Sequence, residues 1–131
     1  MKKILILLLL MVSTSVFAEW TRVTESADGD MTAYIDFGTI KRKGNKVKMW
    51  YLQDYKAVHS LSRNRESLSG ASYHEYDCEE DTKRMLDLYL YSGNMGDGEI
   101  VGSRTNIKEE AESILPESIG ETLFNIACSK K

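Results

Sequence analysis

The sequence predicts an α+β fold: one antiparallel sheet of about six strands in meander order, with a single C-terminal helix packed on one of its faces. Three observations carry this. From Trp20 to Ile107, stretches of period-two alternation are separated by turn residues at even spacing. After Pro116 the apolar residues change to a helical period. Two cysteines, Cys78 and Cys128, are placed so that a bond between them would pin that helix to the sheet.

The chain has 131 residues, 42% hydrophobic and 28% charged, with a formal charge of −3. Those proportions exclude a disordered tail, a collagen-like repeat and a coiled coil. The absence of strong basic character argues against nucleic acid as the partner, because wrapping DNA or RNA works by releasing counterions.

Lys2 and Lys3 lead into an apolar run from Ile4 to Val12, followed by Ser13, Thr14 and Ser15 and then Val16-Phe17-Ala18. This is the pattern of a secretory signal peptide over residues 1–18, with small residues at the cleavage site. An apolar core of that length spans about half of a bilayer, so it does not read as a retained anchor. The run is not followed by a cysteine that could carry a lipid. The mature protein is therefore expected to be one domain, residues 19–131, exported to the periplasm or secreted, without a membrane anchor, and with a formal charge of −5 once the two lysines are removed. In an oxidising compartment an even pair of cysteines points to a disulfide rather than a zinc cluster or a nucleophile.

Along the mature chain, Trp20–Thr24 is a short β-prone piece ended by the turn residues Ala27-Asp28-Gly29-Asp30. Met31–Phe37 alternates as a strand. Thr39–Lys43 and Lys46–Tyr55 flank Gly44-Asn45, a two-residue hairpin signal, since both residues tolerate positive φ. In the second arm Val47, Met49 and Tyr51 share one face, and Lys48, Trp50 and Leu52 the other; neither face is fully polar, which suits a central strand. Lys56–Ser69 loses its periodicity and reads as a long loop or frayed strand ends. Ser72–Cys78 and Thr82–Tyr91 return to β character around the turn Glu79-Glu80-Asp81, with Arg84, Leu86, Leu88 and Leu90 opposing Met85, Asp87, Tyr89 and Tyr91. Gly93–Gly98 connects to a further strand, Glu99–Ile107. Ser118 with Glu121 forms a capping box, and Ile119, Leu123, Ile126 and Ala127 recur at helical spacing behind it. Gly120 in the first turn costs up to about 1 kcal/mol relative to alanine. A helix this short is marginal alone in water and must dock.

Chemistry is sparsely indicated. His59 and His74 stand apart, with no cysteine or acidic residue arranged around both, and read as solvated or hydrogen-bonded strand histidines. Asp77, Glu79, Glu80 and Asp81 lack the glycine and ligand spacing of a calcium loop. No nucleophile elbow surrounds any serine, and no residue pattern calls for a cofactor. The binding candidate is Lys41-Arg42-Lys43-Gly44-Asn45-Lys46-Val47-Lys48, five positive charges at a hairpin tip of an acidic protein. Such a patch attracts sulfated glycans, anionic lipid or acidic protein surfaces; lysines on strand ends also discourage edge-to-edge pairing. Seven tyrosines and two tryptophans supply either a recognition surface or the packing face of the sheet.

The chain resembles the surface-adhesin E family of small exported bacterial proteins. The likeness rests on Trp20, Tyr34-Ile35-Asp36, Trp50, Asp54-Tyr55, Ser67, Glu75-Tyr76-Asp77-Cys78, Arg84, Tyr91-Ser92, Met95-Gly96, Gly98, Pro116-Glu117-Ser118 and Cys128, in that order. It implies a curved antiparallel sheet with a C-terminal helix tethered to one face by the cysteine pair, in a Gram-negative bacterium. It also implies a non-catalytic binding protein, since the family takes its name from outer-membrane lipoproteins that bind host matrix and plasma proteins. Two features depart from the family pattern: the lipid-bearing cysteine is missing, and a tryptophan usual before the proline is replaced around Ala111 and Glu112. The expected function is host-matrix or protein adhesion; the alternatives are a periplasmic small-ligand carrier and an accessory or inhibitory protein.

Overall fold

The computed structural model describes residues 19–62 and 65–129. The predicted signal peptide lies outside the described residues. Eight strands form one antiparallel sheet: β1 (Thr21–Glu25), β2 (Met31–Ile35), β3 (Lys41–Lys43), β4 (Lys46–Ser62), β5 (Arg65–Asp77), β6 (Thr82–Tyr91), β7 (Ile100–Arg104) and β8 (Glu112–Ser113), followed by helix α1 (Ile119–Ala127). The main path is the meander β1-β2-β4-β5-β6-β7. Two short segments are added to it, β3 continuing the line of β2 along β4, and β8 extending that of β7 along β6.

Side chains bridge the gap between β2 and β3, where a 3-10 turn at Phe37–Thr39 interrupts the edge. Thr39 Oγ1 accepts from Trp50 N at 3.1 Å, replacing the missing ladder bond. The turn takes Phe37 out of the predicted strand and leaves it 48% exposed. At the hairpin only Gly44 adopts positive φ, +60°; Asn45 instead donates from Nδ2 to Glu79 Oε2 at 2.6 Å, tying this tip to the turn after β5.

The helix lies on the face formed by Val47, Met49 and Tyr51 of β4, Ile35 of β2 and Tyr76 of β5, and contributes Leu123 and Ala127 to that core. Ser118 caps it as the sequence predicts, its Oγ accepting from Glu121 N at 3.1 Å, although Glu121 Oε1 reaches back to Glu117 N rather than to the cap residue. Cys78, just after β5, is bonded to Cys128 at the C-cap of α1, with Cα atoms 5.6 Å apart.

Three expectations are corrected. Residues 56–62 and 65–69 continue β4 and β5 rather than forming a loop, with a register shift between Asp54 and His59. The strand expected over Glu99–Ile107 is shorter, and Ile107 N instead donates to Leu86 O at 2.9 Å. In β6 a bulge at Leu86 inverts the facing: Tyr73 pairs with Asp87 but His74 with Met85. Lys83 and Met85 therefore share the helix side with Leu88 and Leu90, while Arg84, Asp87, Tyr89 and Tyr91 share the open side.

Part of the open side is covered by the β6–β7 connection, which folds back over Leu52. Asp54 Oδ1 accepts from Met95 N at 2.8 Å and from Asn94 Nδ2 at 3.0 Å. Ser69 Oγ donates to Gly93 O at 2.7 Å and accepts from Gly96 N at 2.9 Å, and Ser67 Oγ donates to Tyr91 O at 2.9 Å. Many of the residues that carry the family resemblance here thus converge on one structural task, clamping this loop. Gly98 is part of it: its φ is +82°, and a Cβ there would strike Ser92 Oγ and lie 3.0 Å from Gly93 N. Gly98→Ala is expected to lower the unfolding free energy in urea by about 2 kcal/mol, since strained left-handed backbone and a clash add. An unchanged midpoint would contradict this account of the clamp.

Candidate functional site

The open face beyond the clamp carries charge and aromatic surface together. Strand parity places Lys46 and Lys48 of β4 on this face, and register sets Lys43 opposite Lys46 and Lys41 opposite Lys48. Four of the five basic residues read from the sequence are therefore gathered on one surface. The fifth, Arg42, pairs with Val47, takes the other parity, and donates from Nε to Gly44 O at 3.2 Å.

Opposite Lys48 on β5 stands Glu75, only 8% exposed, with the Arg84 guanidinium beyond it on β6. Arg84 Nε donates to Glu75 Oε1 at 2.9 Å, and the Lys46 and Lys48 ammonium groups each lie 3.9 Å from its carboxylate oxygens. One carboxylate thus faces three cations, and among the described residues Lys41 and Lys43 have no ion-pair partner. Like-charged lysines held this close repel one another, and Glu75 offsets part of that repulsion while leaving the surface net positive.

The next register row is aromatic. Trp50 stacks on Tyr73 with ring centroids 4.9 Å apart and planes 15° from parallel, and Tyr89 of β6, one row further on opposite Ala71, lies 6.1 Å from Trp50. Tyr73 borders the same groove as the lysines and Glu75, a shallow depression of about 520 Å³. Burial, followed by the charges of Asp87 and Glu75, raises the Tyr73 phenol above its ordinary value, so it presents a neutral O–H.

The helix side holds a second polar grouping that sequence reasoning missed. His74 was expected to be solvated or hydrogen-bonded; it is 5% exposed, and neither ring nitrogen has a partner among the described residues. The Tyr76 hydroxyl, also buried, has none either. The alternation in Tyr73-His74-Glu75-Tyr76 does place His74 and Tyr76 together, but their burial depends on β8 and α1, which are distant in sequence. His59 lies on β4 ten residues beyond the position paired with His74, and its ring packs 3.9 Å from that of Tyr55, so the two histidines share no site.

The acidic turn after β5 is engaged in its own structure: Asp77 Oδ1 accepts from Glu79 N at 3.1 Å and from Glu80 N at 3.0 Å. Among the described residues no group of three His, Cys, Asp or Glu side chains is arranged to hold a metal. Nor is any helix among them long and apolar enough to cross a membrane.

The fold is an open antiparallel sheet whose C-terminal helix is stapled to one face, with a cationic and aromatic opposite face, and the family model that the chain matches is that of an adhesin-like surface protein. The chain belongs to the surface-adhesin protein E family, whose model matches residues 20–129. Among solved structures it is similar to Haemophilus influenzae protein E, in its selenomethionine form with a TM-score of 0.64 at 16% identity, covering 88% of this chain and 90% of that one. A second crystal form of the same protein matches with a TM-score of 0.62 at 16% identity, over 88% of this chain and 91% of that one. At such identity the likeness shows the fold. No curated protein matches the sequence.

Proposed function

We propose that the protein is an exported, non-catalytic adhesin-like module, delivered by the signal peptide over residues 1–18 and acting outside the cytoplasm. Its contact surface is the open face formed by Lys41, Lys43, Lys46 and Lys48 with Trp50 and Tyr73, Arg42 bordering it, and its partner is a sulfated glycan chain of a host surface.

One observation carries this reading: on a molecule of net negative charge, four lysines converge beside a row of stacked aromatic rings. Sulfates suit the ammonium groups, and sugar rings suit flat aromatic faces. An acidic protein surface would use the lysines without needing the aromatic row.

Heparin is the test probe. Replacing all five basic residues by glutamine is expected to weaken heparin binding by at least about tenfold, roughly 1.4 kcal/mol or more. Glu75→Gln is expected to strengthen it severalfold, because three cations lose their counter-charge. Binding should also fall as salt shortens the screening length from about 10 Å at 0.1 M to about 3 Å at 1 M. Affinity unchanged in the five-residue variant would refute the surface, and salt-independent binding would refute its electrostatic character.

A further inference from the structure

Resting on the reading of the open face as a glycan surface, we infer that its groove changes sign along its length and selects chains whose sulfates are grouped in one block. Asp77 and Glu109 are the residues that keep sulfate out of the far half.

Two register rows form the walls. One runs Lys41, Lys48, Glu75, Arg84 across β3, β4, β5 and β6, and the other runs Lys43, Lys46, Asp77, Thr82 across the same strands. Residues directly opposite in an antiparallel sheet share a face, so both rows stand on the open side, about 7 Å apart along the strands. From β3 to β6 is three inter-strand steps, about 14 Å, and a ligand filling the groove therefore lies across the strands. The depression of about 520 Å³ beside β3 continues into a second of about 230 Å³ over β5 and β6, the two sharing Lys46 and Glu75. Beyond Arg84 the groove is bounded by Glu109 and Ala111, from the segment between β7 and β8.

Charge is divided unequally along this path. The half at β3 has Lys41, Arg42, Lys43, Lys46 and Lys48 against Glu75 alone. The half at β6 has Arg84 and the shared Lys46 against Glu75, Asp77 and Glu109. Ion pairing sharpens the division, because Arg84 is already committed to Glu75 at 2.9 Å and Lys46 lies 3.9 Å from the same carboxylate. Glu109 is met at 2.8 Å by Arg104, which does not line the groove; both side chains are more than half exposed, so solvent screens that pair. The cations of the near half, held within two rows, call for several sulfates close together. A sulfate in the far half would face carboxylates at short range, whereas a sugar hydroxyl there can donate to them. Sulfates at one end and free hydroxyls at the other thus match the groove, and evenly spread sulfates do not.

The probes are synthetic heparan-type octasaccharides of equal sulfate number, with the sulfates in one block at either end or spread evenly along the chain. Titration calorimetry of the disulfide-bonded protein is expected to show the better of the two block chains binding at least about fivefold more tightly than the even one. Glu109→Lys is expected to raise affinity for the even chain and shrink that preference to less than about twofold, with the melting temperature unchanged because the side chain is exposed. Failure of all three chains to bind would overturn the adhesive reading and this inference with it. Binding that is lost in the five-residue glutamine variant but shows no preference among the chains leaves the adhesive reading standing and overturns this inference alone. So does a preference that survives Glu109→Lys.

Discussion

A protein carrying Cys78→Ser and Cys128→Ser is expected to melt on the order of 15–20 °C below the disulfide-bonded parent, if it folds at all. The bond closes a loop with a sequence separation of 50, which on the chain-entropy account disfavours the unfolded state by about 4 kcal/mol. A domain of this size has a total stability of about 5–15 kcal/mol, so the loss is a large fraction of it. What the bond holds is as important as the loop it closes. Helix α1 has nine residues and is marginal by itself, yet its Leu123 is 2% exposed and its Ala127 6% exposed against the sheet. Tyr76 meets Phe124 edge-on at 6.2 Å, and Cys78 and Cys128 both pack on the same core. Undocking the helix would therefore open that core along one side and expose His74. Melting curves of the variant and parent, or of the parent with and without reductant after thiol release has been verified, decide the matter. Superimposable curves would mean that packing alone retains the helix.

The helix and its staple were legible because their signals are local and strong: a serine cap, apolar residues at helical spacing, and two cysteines. The Gly44-Asn45 hairpin and the turn at Glu79–Asp81 were legible for the same reason. The continuation of β4 and β5 was not, because pattern reading weighs hydrophobicity. Ser67 and Ser69 are polar, and they are buried with their hydroxyls bonded to backbone far along the chain, at the end of β6 and in the loop after it. The bulge at Leu86 was equally hidden, since nothing in an alternating run marks the residue at which parity inverts.

The candidate surface was half legible. Five positive charges in eight residues were evident, but the division by strand parity that gathers four on one face and leaves Arg42 at its border follows only from the register of β3. The counter-charge of Glu75 comes from a strand beginning after the hairpin has ended, and the aromatic row needs three strands in register. Distance in sequence hides each of these.

Acid is expected to expose His74. A histidine whose folded value lies at about 4, below its ordinary 6.5, is neutral in the native state over a window where the unfolded chain has already taken up a proton. Where the unfolded state binds more protons, stability rises with pH. The native state therefore keeps its full stability above about 6.5, loses it as pH falls toward 4, and loses no more from this group below that. The difference in affinity for the proton corresponds to about 3 kcal/mol across the window, or a fall on the order of 10–15 °C in melting temperature. The ionisable groups facing the ring are Tyr51, Tyr76, Lys83 and Glu112 at the rim, and comparison with His74→Phe cancels their contributions. Phenylalanine preserves the ring packing and forfeits no protein hydrogen bond, since neither ring nitrogen makes one. The variant should equal or exceed the parent in stability at pH 7 and should retain its melting temperature between pH 6.5 and 4 better than the parent by that margin. Calorimetric scans of both proteins at pH 7 and near pH 4.5 supply the comparison. Parallel acid sensitivity would mean that the imidazole reaches water or a partner in the folded protein.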